Sequence, residues 1–201
     1  MSHAPAHLVD DDEAIRDALA WLLKSRGLHS IGYPSAEDFL GQWTPEMAGC
    51  IVLDMRLGGM TGLDCFDRLC ERNSTLPVIF LTGHGDVPMA VGALKKGAFD
   101  FFEKPVNDND LADRIEQALA LNAQQREATA AVDSVRSRVA RLTTREKQIM
   151  ELILAGKFNK VIADELNISM RTVEVHRANI FDKMQVKTAV ELANLLKAGA
   201  Q

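Results

Sequence analysis

Sulfur chemistry is sparse in this 201-residue chain: three cysteines, an odd number without metal-ligand spacing. Cys50, Cys65 and Cys70 therefore build neither a disulfide framework nor a zinc site, and read as thiols of a reducing compartment. Long apolar runs are missing as well. No stretch approaches the roughly 18–20 unbroken apolar residues of a membrane span. The start, MSHAPAHLVDDDE, has no basic segment leading into an apolar one. No secretory signal is expected from it, and the chain is expected in the cytoplasm without a membrane partner. Gly and Pro are both absent from residue 108 to about 138, which excludes a chain of turns there and predicts one long helix.

What is present is unevenly spread. Residues 1–110 hold 17 Asp and Glu against 9 Lys and Arg, a net of −8. Residues 111–140 balance at 4 and 4, and residues 141–201 carry 7 acids and 10 bases, a net of +3. An acidic front and a modestly basic back suggest two jobs, the second involving a polyanion.

The front half alternates short apolar runs with helical periodicity. AHLV (6–9), HSIGY (29–33), CIVLD (50–54), PVIFLT (77–82) and FDFFEK (99–104) predict strands. Apolar residues at 3.6-residue spacing predict helices over 13–25, 36–43, 62–72 and 87–96, with a fifth from about Asp108. Continuous apolar strands alternating with helices mean a parallel sheet covered on both faces. The fold class is α/β: a five-stranded parallel (βα)5 domain, a long helical linker, and a small all-α domain. The boundaries are placed at 1–121, 122–140 and 141–201. The linker is read as solvated, since beyond Leu121 its apolar positions thin to Ala, Val132, Val135 and Val139.

In open parallel sheets, ligands bind beyond the carboxyl ends of the strands. Asp10-Asp11-Asp12, Asp54, Thr82-Gly83 and Lys104-Pro105 stand at those ends. Each alone has an ordinary reading as a helix cap or strand terminus. Together they are harder to set aside, because two carboxylates ~4 Å apart repel by about 4 kcal/mol at an effective dielectric near 20. A cation is required, and all-oxygen ligands suit Mg²⁺. Lys104 adds a point charge for a phosphoryl oxygen and Thr82 a hydroxyl, so Asp54 is equipped to accept phosphate as an acyl phosphate. A hydrolase is disfavoured. Aspartyl phosphatases place a second Asp two residues on, where this chain has Arg56, which cannot donate a proton near neutrality. The chain is therefore read as no enzyme.

The stretches VDDDEAIR, LDMRLGGMTG, FLTGHGDVPMAV and GAFDFFEKP resemble the receiver domain of two-component response regulators, over about residues 5–120. The resemblance implies Asp54 as phosphoacceptor, Asp10 and Asp11 as Mg²⁺ ligands, and Arg56 as donor of a backbone carbonyl to the ion. It implies Thr82 and Lys104 as phosphoryl contacts and Phe101 as the aromatic that moves with Thr82. Asp12 lies beyond the matched pair and is read as a helix cap. The family commonly has Pro where this chain has Gly58. Gly58 and Gly59 raise loop entropy, so a more mobile loop is expected here.

In the back half, Thr143 and Glu146 form a capping-box signature ahead of four short helical patterns. The pair joined around Asn167-Ile168-Ser169 has helix-turn-helix character: Val161, Ile162 and Leu166 at helical spacing, Ile168 in the turn, Ser169 as cap. On the second helix, Val173, Ile180 and Met184 form a core stripe. Val175 and Ala178 face outward, Val175 for a thymine methyl and Glu174 for a cytosine amino group. Lys160, Arg171, Thr172, Arg177 and Lys183 are read as phosphate contacts. His176 has no second ligand near it and is read as a packing or phosphate-contacting residue.

The segment LTTREKQIMELILAGKFNKVIADELNISMRTVEVHRANIFDKM resembles the LuxR-type helix-turn-helix of FixJ/NarL regulators. The expected function is a response regulator. A sensor histidine kinase phosphorylates it on Asp54, and it forms a homodimer through segments 87–96 and 99–103. It then binds double-stranded promoter DNA, with RNA polymerase a further candidate partner. Two alternatives stand beside it: a DNA-binding regulator independent of phosphorylation, and a receiver-tethered protein-interaction module.

Overall fold

The computed structural model describes residues 4–83 and 87–198, in two compact units that divide between Gln125 and Arg126. In the first unit, β1 (Ala6–Val9), β2 (Ser30–Tyr33), β3 (Cys50–Asp54), β4 (Val78–Thr82) and β5 (Asp100–Glu103) form one parallel sheet in the order β2-β1-β3-β4-β5. Strand β3 is buried along its whole length, as a central strand covered on both faces must be. One face packs under α2 (Ala36–Gln42), α3 (Gly62–Glu71) and α4 (Val87–Lys95), with Phe39, Leu53, Phe66 and Phe80 at its centre. The other packs under α1 (Glu13–Ser25) and the first turns of α5 (Asp108–Ala140), through Leu19, Leu23, Ile79, Leu111 and Ile115.

Two glycines are steric requirements. A Cβ on Gly62 would lie 2.1 Å from the Asp54 carbonyl, so α3 can start against the end of β3 only without a side chain. A Cβ on Gly49, at φ +125°, would lie 2.0 Å from the Pro5 carbonyl.

Helix α5 is less of a bare linker than its composition suggests. Asn122 is buried: its Oδ1 accepts the Gly49 amide at 3.0 Å and its Nδ2 donates to the Thr75 carbonyl at 3.2 Å. The first unit thus holds the helix beyond residue 121. Within the second unit, Val135 is buried, Val139 packs on the helical core, and Arg138 Nη1 donates to the Met184 carbonyl at 3.1 Å. The expected solvated stretch 122–140 is therefore anchored near both of its ends. A polar side chain and a thin apolar pattern hid those anchors.

The second unit continues through α6 (Thr144–Leu154), α7 (Asn159–Leu166), α8 (Met170–Met184) and α9 (Ala189–Ala198). The Thr143–Glu146 capping box forms in full. Ser169 caps α8 by accepting the Thr172 amide, and Asn167 ends α7 in the left-handed conformation. Ile149, Ile162, Val173, Ile180 and Met184 are fully buried, and Ile168 packs against them from the turn. Of the three apolar residues at helical spacing, Ile162 is buried while Val161 is 41 % exposed. The eight-residue α7 buries the stripe of Ile162 and Ala163, which turns its neighbour outward.

Helices α6 and α8 are joined by a buried charge. Glu146 accepts two hydrogen bonds from Lys183 Nζ, at 2.9 and 2.7 Å, and one from the Thr143 amide. Burial alone would raise its pKa, but the Lys183 and Thr143 bonds outweigh it and hold the carboxyl below its usual range. A depressed folded value stabilises fully above the ordinary Glu pKa of about 4.3 and loses that contribution as pH falls through the folded value. Lys183→Met should cost roughly 2 kcal/mol near neutrality. That is less than the roughly 3–5 kcal/mol of a fully enclosed pair, because the Lys183 side chain is 30 % exposed. Urea unfolding followed by far-UV circular dichroism should show the loss, and the gap from wild type should narrow below about pH 4.

Candidate functional site: an acidic crevice and a helix face

Asp10 and Asp54 end β1 and β3, adjacent central strands, and the chain peels away from the sheet after each in the same manner. Asp10 Oδ1 accepts the amide of Asp12 at 2.9 Å, and Asp54 Oδ1 accepts the amide of Arg56 at 2.9 Å. These local turns fix each carboxylate and leave its second oxygen aimed into the crevice. There both second oxygens meet Lys104, whose Nζ stands 2.9 Å from Asp10 Oδ2 and 2.5 Å from Asp54 Oδ2. Lys104 reaches them from the end of β5, where its own amide donates to the Thr82 carbonyl at 2.7 Å. Thr82 is fully buried at the end of β4, the strand between β3 and β5, and its hydroxyl donates to the Gly83 carbonyl at 3.3 Å.

Burial pushes the Asp10 carboxyl upward, against the pull of Lys104. Burial alone would lower the Lys104 pKa, but its hydrogen bonds to Asp54 and Asp10 overcome this and raise it, so the ammonium is charged at neutral pH. Asp11 is exposed at the mouth. One carboxylate oxygen each from Asp10, Asp11 and Asp54 lie within 4.8 Å of one another. Three hard oxygen donors open to solvent on one side fit a small divalent cation that keeps several of its waters, as Mg²⁺ does. Asp12 is the cap of α1, accepting the Ala14 amide. Arg16 Nη1 donates to the Asp10 carbonyl at 2.7 Å and so holds the strand end from α1.

One contact to the loop that follows Asp54 was not legible in the sequence. Glu37, in the first turn of α2, accepts the Met60 amide on Oε1 at 2.9 Å. Nothing in the local pattern around Glu37 points to a loop more than twenty residues away. Phe101 is half-buried against the core beneath α2, α3 and α4. On α4, Met89 and Val91 are 46 % and 41 % exposed. The FLTGHGDVPMAV motif is described up to Gly83 and again from Val87; residues 84–86 lie outside the described residues.

On α8, the core stripe and the outward face separate as the periodicity predicts. Arg171, Glu174 and Ala178 are exposed, Val175 is 54 % exposed, and Lys160 is exposed on α7. Arg177 lies over the Phe181 ring at 5.4 Å, which fixes its stem along the helix. Thr172 shares a 2.8 Å hydroxyl contact with Ser169. Lys183, expected as a phosphate contact, directs its ammonium to the buried Glu146 carboxylate in the DNA-free chain. His176 is half-buried, and its Nδ1 has no hydrogen-bond partner among the described residues.

These geometries agree with what the chain resembles. Residues 6–116 match the family described as response regulator receiver domain, and residues 140–196 match the bacterial regulatory proteins of the luxR family. The chain belongs to the two-component response regulators that join a receiver to a LuxR-type DNA-binding domain. It is 44 % identical to the transcriptional regulatory protein FixJ of Azorhizobium caulinodans, covering 95 % of this chain and 90 % of that one. It is also 44 % identical to the C4-dicarboxylate transport transcriptional regulatory protein DctR of Rhodobacter capsulatus, covering 94 % and 97 %. Among solved structures, the response regulator StyR matches with a TM-score of 0.91 at 41 % identity, covering 96 % of this chain and 98 % of its own. Full-length FixJ from B. japonicum matches with 0.59 at 39 %, covering 100 % and 98 %. No helix among the described residues is long and apolar enough to cross a membrane.

With Lys104 removed, Asp10 and Asp54 would face each other without their cation. Lys104→Met should therefore destabilise the metal-free first unit by about 1–3 kcal/mol. Millimolar Mg²⁺ should restore more stability to the variant than to wild type. Both tryptophans, Trp21 and Trp43, belong to residues 1–125, so their fluorescence during urea unfolding reads this unit.

Proposed function

We propose that the chain is a transcription regulator of the cytoplasm, switched by phosphoryl transfer from a sensor histidine kinase to Asp54. The observation that carries this reading is the Lys104 ammonium shared by Asp10 Oδ2 and Asp54 Oδ2, with Asp11 grouped with both acids and Thr82 at the end of the neighbouring strand β4. An Asp54 carboxylate oxygen attacks phosphorus, an O–P bond forms as the N–P bond of the kinase phosphohistidine breaks, and the imidazole leaves. The transition state is loose, so the protein's work is positioning and charge stabilisation. Lys104 turns to a phosphoryl oxygen and Thr82 donates its hydroxyl to another. Asp10, Asp11, Asp54 and the Arg56 carbonyl would hold Mg²⁺, which when bound supplies positive charge to the transferring oxygens.

Drawing Thr82 toward the phosphoryl group vacates space that Phe101 enters, and the balance of a two-state face along α4 and β5 shifts. Met89 and Val91, already exposed on α4, give that face apolar area for a homodimer. In the second unit, α8 lies in the major groove of promoter DNA. Val175, Ala178 and Glu174 meet base edges, while Lys160, Arg171, Thr172 and Arg177 meet phosphates. Glu174 and a net charge of +3 over residues 141–201 keep nonspecific attraction modest, so paired half-sites and a dimer supply the affinity. RNA polymerase is the further partner of such a promoter-bound dimer.

Intact mass after incubation with Mg²⁺ and acetyl phosphate tests the switch. Wild type should gain one phosphoryl group and Asp54→Asn none; equal gain by both would refute the assignment. For the output, Val175→Asp should weaken specific binding to a selected duplex by roughly 10- to 100-fold, the scale of losing one base contact worth about 1–3 kcal/mol. Electrophoretic mobility shifts at several salt concentrations would read it. Unchanged affinity, or no duplex bound by wild type at any salt concentration, would count against the interface.

A further inference from the structure

The loop from Arg56 to Thr61 leaves the proposed phosphoacceptor and carries the carbonyl expected to reach the metal. Its two ends are held by their own neighbourhood. The Arg56 amide bonds to Asp54 Oδ1, the Gly62 amide bonds to the Met55 carbonyl at 3.1 Å, and Thr61 caps α3. Between those ends stand Gly58 and Gly59, the residues with the most freedom to lose. Leu57 and Met60 pack against the core from within this span, and a side-chain hydrogen bond reaches it from Glu37, whose Oε1 accepts the Met60 amide at 2.9 Å.

Glu37 is free for that role because α2 is capped without it. Ser35 Oγ accepts the Asp38 amide at 3.0 Å and donates to Asp38 Oδ2 at 2.6 Å. Gly59 is shaped to admit the carboxylate: a Cβ there would stand 2.9 Å from Glu37 Oε1 and 3.5 Å from its Cδ. On the other side, a Cβ on Gly58 would stand 3.4 Å from Asp11 Oδ2. The two glycines thus thread between one carboxylate of the crevice and one carboxylate of α2. A charge-assisted bond to a backbone amide is stronger than a neutral one and fixes the strand of loop that follows the acceptor.

We propose that Glu37 is a positioning residue of the phosphoacceptor loop: its bond to Met60 adds a restraint on the far side of the Gly58-Gly59 pair, and so steadies the direction of the Arg56 carbonyl, whose amide is already fixed, for the metal. This inference rests on Asp54 as phosphoacceptor. It predicts that Gly59→Ala, by pushing the carboxylate off Met60, reproduces the effect of Glu37→Ala. It also predicts that the two are not additive, because they break one contact.

The experiment uses full-length wild type, Glu37→Gln, Glu37→Ala, Gly59→Ala and the double variant. Amide hydrogen exchange at Met60 is measured without metal, Mg²⁺ affinity by titration calorimetry, and phosphoryl uptake from acetyl phosphate by intact mass. Glu37→Ala and Gly59→Ala should each speed exchange at Met60 and weaken Mg²⁺ roughly 3- to 10-fold, below the roughly 10- to 100-fold typical when a residue directly supporting a metal ligand is lost. Uptake should slow at limiting Mg²⁺ and recover at saturating Mg²⁺, which a general loss of folding would not produce. Glu37→Gln, which keeps the acceptor oxygen, should stay within about twofold of wild type. The double variant should match Glu37→Ala. Wild-type Mg²⁺ affinity in Glu37→Ala, or additive losses in the double variant, would overturn the proposal. If wild type itself takes up no phosphoryl group, the reading of Asp54 falls first.

Discussion

Like charge gathered at one edge of a sheet is the constraint around which the first unit is organised. Two buried carboxylates on adjacent strands cannot stand unscreened, and Lys104 is placed to screen them. The strand order makes this possible: β1 and β3 set Asp10 and Asp54 side by side, while β4 and β5 bring Thr82 and then Lys104 to the same edge. Each acid spends one oxygen on its own turn and keeps the other for the crevice, so the site is rigid in its backbone while its charge partner sits on a flexible stem. A lysine is suited to this, since it can leave one oxygen for another without rebuilding a bidentate geometry.

The second unit also buries a charge, and uses it differently. Glu146 closes its own helix cap and binds Lys183 from α8, so its three hydrogen bonds serve to lock α6 to α8. The helix that carries the outward Val175 is thereby fixed by its inner side, through Val173, Ile180 and Met184 in the core and through Lys183 at its last turn. The face proposed to read DNA needs such a rigid back, because base-edge contacts tolerate little displacement.

Much of this was legible in the chain. Strand and helix positions followed from apolar runs and 3.6-residue periodicity, and the ends differ from expectation by a residue or so, as at α2 and β4. The caps Asp12, Thr143 and Ser169 were readable because a cap is a local event within three residues. Contacts that join distant segments were not. Asn122 looked like one more polar position of a solvated helix, yet it stitches α5 to Gly49 and Thr75. Lys183 looked like one more basic residue of α8, yet its ammonium binds Glu146, 37 positions away. Nor did the spacing of Val161 and Ile162 say which of the two neighbours the short α7 would bury.

The sequence by itself therefore determined the elements, the two-part architecture and the residue types at the strand ends, because backbone preference, amphipathic period and capping all act over a few residues. Only the tertiary structure decided which charges meet. It assigned Lys104 to both acids, Lys183 to Glu146 and Glu37 to the glycine loop. The physical reason is that a hydrogen bond or ion pair depends on a few ångströms of separation, and those are set by strand order and helix packing summed over the whole domain.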